Sequence, residues 1–393
     1  MKRIFVYISA VTAVLFSGGC KRTVQAPAEA VFGTVCTINA FDDGTEELYG
    51  KLFSCLNEID RKFSTTRAES EISLINAAAG EQAVQVTPDV LYIIRTALAY
   101  ASLTGGAFDP TIGPVVTLWG INTDHARIPS QIELETALHL VDWHQVTVNG
   151  SSVFLQKKGM KLDLGGIVKG YAADELVGIL KKERVKRAVI DLGGNIYVYG
   201  RKKDGTPWRV GVKNPDDPSG EPAVILTLQN SSVVTSGVYE RFFIQDGVRY
   251  HHIIDPKTGY PVDNGLTSVT IVCESSTAAD ALSTSLFILG PEKGFALLKK
   301  IAAQPVGAQQ NTETETSDGM GTWLFTGTPD EKTEEPAVTA AGTPVLSRIP
   351  GLDSSVSAIF ISSDKKISAS ENLEPVLQLN SSDYLTPVYI GTK

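Results

Sequence analysis

Cysteine is scarce, with four in 393 residues. Cys20 closes a leader-like stretch, while Cys36, Cys55 and Cys273 are an odd set at unrelated spacings that supports neither a disulfide framework nor a zinc site. Cys36 and Cys273 sit in apolar, strand-like runs, where a free thiol serves as a small core residue. Histidine is almost as rare, and three of the five, His125, His139 and His144, are scattered in a way that gathers no metal. Basic stretches are missing too: the formal net charge of −9 is spread along the chain, which argues against a nucleic-acid partner. Beyond the first twenty residues no apolar run is long enough to span a bilayer as a helix. The chain also lacks a Walker loop and a G-x-G-x-x-G dinucleotide fingerprint.

What is present begins with an export signal: Lys2-Arg3, an apolar stretch from Ile4 to Phe16, then Ser17-Gly18-Gly19-Cys20. Small residues before a cysteine read as a bacterial lipoprotein signal, so residues 1–19 are expected to be removed and Cys20 lipidated, simple secretion being the alternative. Two or three acyl chains would hold the protein on a membrane surface. Residues 20–30 read as a polar tether, and residues 31–393 as the folded part, large enough for a substantial core. From 304 to 347 the sequence turns to Thr, Glu, Pro, Gly and Ala, the composition of a disordered insertion. Strand-like runs at Val356 to Ser362 and Thr386 to Ile390 then return the chain to the main domain.

Before that insertion, Val31 to Phe41 reads as a strand and Glu46 to Phe63 as an amphipathic helix. A helix capped by Ser70 follows, and Pro88 opens a longer one. Trp208 to Lys213, Val224 to Leu228, Phe242 to Ile244 and Thr267 to Cys273 are candidate strands. Helices and strands are mixed throughout, so the fold class is α/β (α+β).

Three segments carry chemistry. In Lys161-Leu162-Asp163-Leu164-Gly165-Gly166-Ile167-Val168-Lys169-Gly170, an apolar strand expected to end near Leu164 meets a two-glycine turn and a helix starting near Ile167. Helix N–H groups and Lys169 there suit an anionic ligand, although such a turn can also be plain geometry. A second Gly-Gly turn, Gly193-Gly194, follows Ala188-Val189-Ile190, with tight packing as its alternative. In His251-His252-Ile253-Ile254-Asp255-Pro256-Lys257-Thr258-Gly259, His252 can donate to a phosphate or carry a proton. Asp255 and Thr258 read as organisers of the turn. In Thr277-Ala278-Ala279-Asp280-Ala281-Leu282-Ser283-Thr284, Asp280 and Thr284 share a helix face and could bind a hard cation. The rival reading makes Thr277 and Asp280 a helix-capping pair.

Asp163-Leu164-Gly165-Gly166…Lys169-Gly170-Tyr171, Gly106-Ala107-Phe108-Asp109-Pro110-Thr111, His252-Ile253-Ile254-Asp255-Pro256-Lys257-Thr258-Gly259 and Ala279-Asp280-Ala281-Leu282-Ser283-Thr284 together resemble the ordered motifs of the ApbE family. These are the FAD:protein FMN transferases, exported bacterial flavin transferases that are often lipid anchored. The resemblance runs from about Val31 to Ala303 and resumes near Val356. It implies a T-fold-like architecture of mixed sheets packed with helices, and FAD as substrate. It also implies Mg²⁺ bound by the side chains of Asp280 and Thr284 and by backbone oxygens of Gly166 and Ser283. FAD would contact Phe32, Thr66, Ala107, Phe108, Asp109, Asp163, Lys169, His252 and Ile254, with Asp280, His252 and Lys169 in catalytic roles. Phe32 stands where many members have methionine, and Thr66 where many have tyrosine or another large residue.

The implied reaction esterifies a Thr or Ser hydroxyl of an acceptor flavoprotein with FMN and releases AMP. Acceptors would be subunits of Rnf or Na⁺-translocating quinone reductase type, on the periplasmic side of the inner membrane. Two other readings use the same residues: an FAD pyrophosphatase giving FMN and AMP, and a non-catalytic FAD-binding lipoprotein.

Overall fold

A computed structural model describes residues 24–217, 220–303, 349, 352 and 355–391. The expected signal peptide, lipidated Cys20 and the insertion at 304–347 lie outside these residues. The chain opens with β1 (Ala28–Val31) and β2 (Thr34–Asn39), an antiparallel hairpin whose two-residue turn, Phe32-Gly33, has φ of 54° and 67°. Positive φ at both positions matches the twist of the flanking strands. Where the sequence suggested one strand over Val31 to Phe41, there is a hairpin, and order starts inside the expected tether.

α1 (Glu46–Phe63) is amphipathic as its spacing predicts: Leu48, Tyr49, Leu52, Phe53, Leu56, Ile59 and Phe63 are buried, and the Thr45 side chain caps it. α2 (Glu71–Ala77) is capped by Ser70, as expected. β3 (Val84–Gln85) is followed by α3 (Pro88–Thr104), which ends at Gly105 with φ 62°. Two short helices, α4 (Gly113–Trp119) and α5 (Gln131–Leu138), precede β4 (Val146–Asn149) and β5 (Ser152–Leu155), which join β3 in a small sheet.

The expected strand ending near Leu164 is absent. Lys161 makes one parallel bridge to Ile112, and the Asp163 N–H donates to Pro110 O at 2.8 Å, so extended chain pairs only in passing. α6 (Val168–Lys182) then leads to β6 (Arg187–Leu192) and β7 (Asn195–Gly200). Gly193-Gly194 is therefore a hairpin turn, with φ of 68° and 93°, and not a second strand-to-helix turn.

β8 (Trp208–Val212), β9 (Val224–Leu228), β10 (Ser231–Gly237), β11 (Phe242–Gln245), β12 (Val248–His251) and β13 (Leu266–Cys273) follow. α7 (Ser276–Ala302) is broken at Gly290, φ 76°, just before Pro291, whose ring cannot continue a helix unperturbed. The tail supplies β14 (Ser357–Ser362), β15 (Ile367–Ser370), β16 (Leu377–Leu379) and β17 (Val388–Ile390).

The frame is a nine-stranded sheet ordered β1-β2-β6-β7-β10-β13-β14-β15-β17, antiparallel except for the last pair. α6 and α7 lie on one face with α1 outside α6, and Ile38, Ile190, Val269, Ile271 and Phe360 point into that core. The sheet β16-β9-β8 covers the other face, where Val198, Val233, Val272 and Ile359 meet Val210, Val224 and Leu226. Both faces of β13 are buried, so its apolar residues Val269, Ile271, Val272 and Cys273 do not simply alternate with polar ones. A third cluster gathers Val115, Trp119, Leu134 and Ile254 with Phe243 and Tyr250 of the two-stranded ribbon β11-β12.

Candidate active site

A cavity of about 400 Å³ opens where the α6 N-terminus, the first half of α7, the C-terminal end of β10 and the Trp119 cluster converge, a size suited to a small molecule. Ala107, Phe108, Asp109, Asp163, Gly166, Lys169, His252, Ile254, Asp280 and Thr284, ten of the residues singled out in the sequence, line it. Three others do not. Ser283 is buried one residue away, its hydroxyl 2.9 Å from Ser236 Oγ and donating to Asp280 O. Phe32 sits in the β1–β2 turn beside the lining residues Gly33 and Thr34, its N–H donating to Asp60 Oδ1. Thr66 is exposed and bonded to Ser64.

The α6–α7 contact builds the polar floor. Asp280, 3% exposed, accepts from Gly170 N at 2.9 Å and lies 3.2 Å from Lys169 Nζ. The N–H groups of Ile167 and Val168 go to Leu164 O. The anion at the positive end of α6 is thus Asp280 itself, which corrects the expectation that these N–H groups await a ligand. The capping-pair reading of Thr277 and Asp280 also fails. Ser275 caps α7, and Thr277 donates to Asp174, whose carboxylate also takes Ser275 Oγ and the N–H groups of Ser276 and Thr277. Asp280 takes no part in capping α7; its carboxylate faces Lys169 and Gly170 at the cavity instead.

A hard cation needs oxygen donors. Among the described residues no three His, Cys, Asp or Glu side chains gather, so a cation here would rest on one carboxylate with hydroxyl and backbone oxygens. Those exist: the Asp280 carboxylate, Thr284 Oγ1, and the backbone of Gly166, which packs so close that a Cβ there would lie 3.6 Å from Thr284 Oγ1. Lys169 already shows that the Asp280 oxygens attract positive charge. The donor set fits Mg²⁺.

The other walls are less charged. Asp163 Oδ1 accepts from Gly165 N, and Asp109 Oδ1 accepts from Thr111 N and Oγ1. Burial pushes both carboxyls above their usual range. His252 is pushed down to about 4, chiefly by burial and then by the Arg241 guanidinium. Its Nδ1 lies 3.2 Å from Arg241 O, and since a carbonyl can only accept, the proton sits on Nδ1 and Nε2 is left as an acceptor. Asp255 bonds Lys257 N, and its carbonyl takes Thr258 N and Gly259 N, so it organises the turn as its sequence suggests. Phe108, Ile112, Trp119 and Ile254 supply an apolar wall. A flat ring with an anionic tail suits such a space.

Sequence reading missed several lining residues. Thr34, beside the β1–β2 turn, is brought by the β2–β6 pairing next to Gly193, whose Gly-Gly turn the sequence did single out and which lines the cavity. Ser236 and Arg241 flank the end of β10, whose polar sequence SSVVTSG carries a weak strand signal.

The ApbE family model matches residues 32–306. A FAD:protein FMN transferase of Treponema pallidum is 38% identical over 318 residues, 76% of this chain and 88% of that protein. One from Klebsiella pneumoniae is 40% identical over 257 residues, 65% of this chain and 79% of its own. The crystal structure of the ApbE protein of Thermotoga maritima is similar at a TM-score of 0.64 and 36% identity, covering 70% of this chain and 89% of that one.

Proposed function

The chain belongs to the ApbE family and is a flavin transferase, and we propose that it moves FMN from FAD, with Mg²⁺, onto a Thr or Ser hydroxyl of an acceptor flavoprotein, releasing AMP. The observation that carries this reading is the lock of Lys169 and Gly170 on Asp280 beside Thr284 and Gly166, a cation-and-oxygen floor under an apolar wall.

Asp280 and Thr284, with backbone oxygens of Gly166 and Ser283, would hold the metal. When bound, Mg²⁺ would supply neutralising charge to the pyrophosphate oxygens. Lys169 adds a second positive charge, and Phe108, Ile254 and Trp119 orient the flavin, so that the acceptor hydroxyl lies in line with the FMN phosphorus. The new O–P bond forms as the bridging P–O bond to AMP breaks, and the hydroxyl proton passes to His252 Nε2. Asp280 is the weaker candidate for that proton, because both of its oxygens are engaged. Acceptors of Rnf or Na⁺-translocating quinone reductase type, on the periplasmic side of the inner membrane, agree with the leader and Cys20. A Cys20→Ala form should leave the membrane fraction if lipid anchors the chain; equal retention would count against the anchor.

The decisive experiment incubates the protein with FAD and Mg²⁺, with and without the acceptor domain of a quinone reductase subunit. Acceptor mass should rise by one FMN, and Asp280→Ala should lower the rate by about 10²-fold or more. AMP released at the same rate without acceptor would replace the transferase by a hydrolase.

A further inference from the structure

The ribbon β11-β12 continues the cavity wall outward. Glu240 and Arg241, just before β11, and His252, just after β12, line the cavity, while the ribbon itself projects away from it. One face, with Phe243 and Tyr250, packs on Trp119, the ring centroids 6.4 and 5.6 Å away. The other carries Phe242 and Ile244, 38% and 62% exposed, with Arg249 lying over the Phe242 ring. Among the described residues this sheet has two strands, so the outer side of each is unpaired there.

The hydrogen-bond phase of the ribbon can be read from its base. His252 N donates to Arg241 O, making 241 and 252 a bonded pair. In an antiparallel ladder bonded and non-bonded pairs alternate, so 243/250 and 245/248 are bonded, and the N–H and C=O groups of Phe242 and Ile244 point away from β12. Natural proteins usually blunt such an edge with proline, charge or a covering element. β11 bears apolar side chains there instead, and its first residue adjoins the cavity at Arg241.

The reaction requires that a protein hydroxyl reach FAD inside a cavity of about 400 Å³, which no folded domain can enter. The acceptor must therefore present an extended segment. We propose that the free edge of β11 is the docking strand for that segment: the acceptor chain adds to the sheet beside Phe242–Gln245, its apolar side chains meeting Phe242 and Ile244, and runs on past Arg241 into the cavity. The occupant is a backbone in β conformation, held by main-chain hydrogen bonds. This rests on the protein being a transferase to a protein acceptor.

Ile244→Pro tests it, because proline removes both the outward N–H and the apolar side chain the acceptor would meet, leaves the bonds to β12 in place, and is tolerated on an edge. With the quinone reductase acceptor domain as probe, the acceptor KM should rise about tenfold, while FAD affinity, followed by flavin fluorescence, and AMP release without acceptor stay unchanged. An unchanged acceptor KM overturns the docking strand. Hydrogen exchange on the unsubstituted protein decides the matter without a variant: the Phe242 and Ile244 amides should exchange freely alone and slow at least about tenfold with acceptor. Amides equally fast in both overturn the proposal, and amides already protected in a concentration-dependent way assign the edge to a second copy of this chain. Failure of the unsubstituted protein to flavinylate any acceptor would instead refute the transferase reading beneath it.

Discussion

Individual side chains divide the site into an ionic floor and a neutral base. His252 illustrates the second. Its sequence context suggested a group able to donate to phosphate or carry a proton; enclosed beside Arg241, it is neutral at physiological pH and its open nitrogen is an acceptor. The consequence for stability has a definite sign. A histidine whose folded value is about 4 against an ordinary 6.5 binds fewer protons folded than unfolded between those pH values. Stability from this group is full above 6.5 and is lost as pH falls toward 4, at up to ~1.4 kcal/mol per pH unit. NMR titration of the imidazole should place its midpoint near 4, and His252→Gln should flatten that part of the stability profile. A midpoint near 6.5 would show that the ring is solvated and could carry a positive charge to the phosphates.

At the scale of elements, the crossing of α6 and α7 sets the reacting geometry. Asp174 on α6 gathers the first N–H groups of α7, and Gly170 lets the helices approach until its N–H meets Asp280. A Cβ on Gly170 would run into the Ser276 carbonyl and come within 2.8 Å of the Asp280 Cβ. Gly170→Ala should therefore cost about 3 kcal/mol, a fall in Tm of roughly 4 °C for a chain of this size, and slow transfer by parting Lys169 from Asp280. Gly178, with open space at its Cβ position, is the control on the same helix; alanine there should be neutral or stabilising by up to about 1 kcal/mol. Calorimetry on the pair distinguishes close packing from a general dislike of substitution in α6; equal effects would refute the packing account.

Legibility in the sequence followed the same divide between local and distant causes. α1, α2 and the strands at 224–228 and 266–273 announce themselves because capping residues and apolar spacing act within a few residues of one another. Asp174 was invisible as a helix clamp because its partners are about a hundred residues away. The apolar residues before Gly165 mimic a strand, yet their neighbour at Ile112 pairs only once.

For the whole molecule, the question is where the folding unit ends. The family match stops at residue 306, but β13, a central strand that runs beside the site-bearing β10, has β14 as its other neighbour. Phe360 of β14 packs at a tilt against Phe295 of α7, 4.8 Å between centroids, and Gly294 has no side chain where that ring sits. Ile359 and Ile361 fill the opposite core. Ending the chain at residue 303 would strip one whole side of β13 of its ladder and expose both cores together. That loss, several buried side chains at about 2 kcal/mol each, exceeds the ordinary margin of a domain of this size. The truncated protein should show no cooperative thermal transition, and co-expression with residues 349–393 as a separate chain should restore one along with FAD binding. A shortened protein that melts cooperatively and binds FAD unaided would show that the tail only decorates a unit complete at α7.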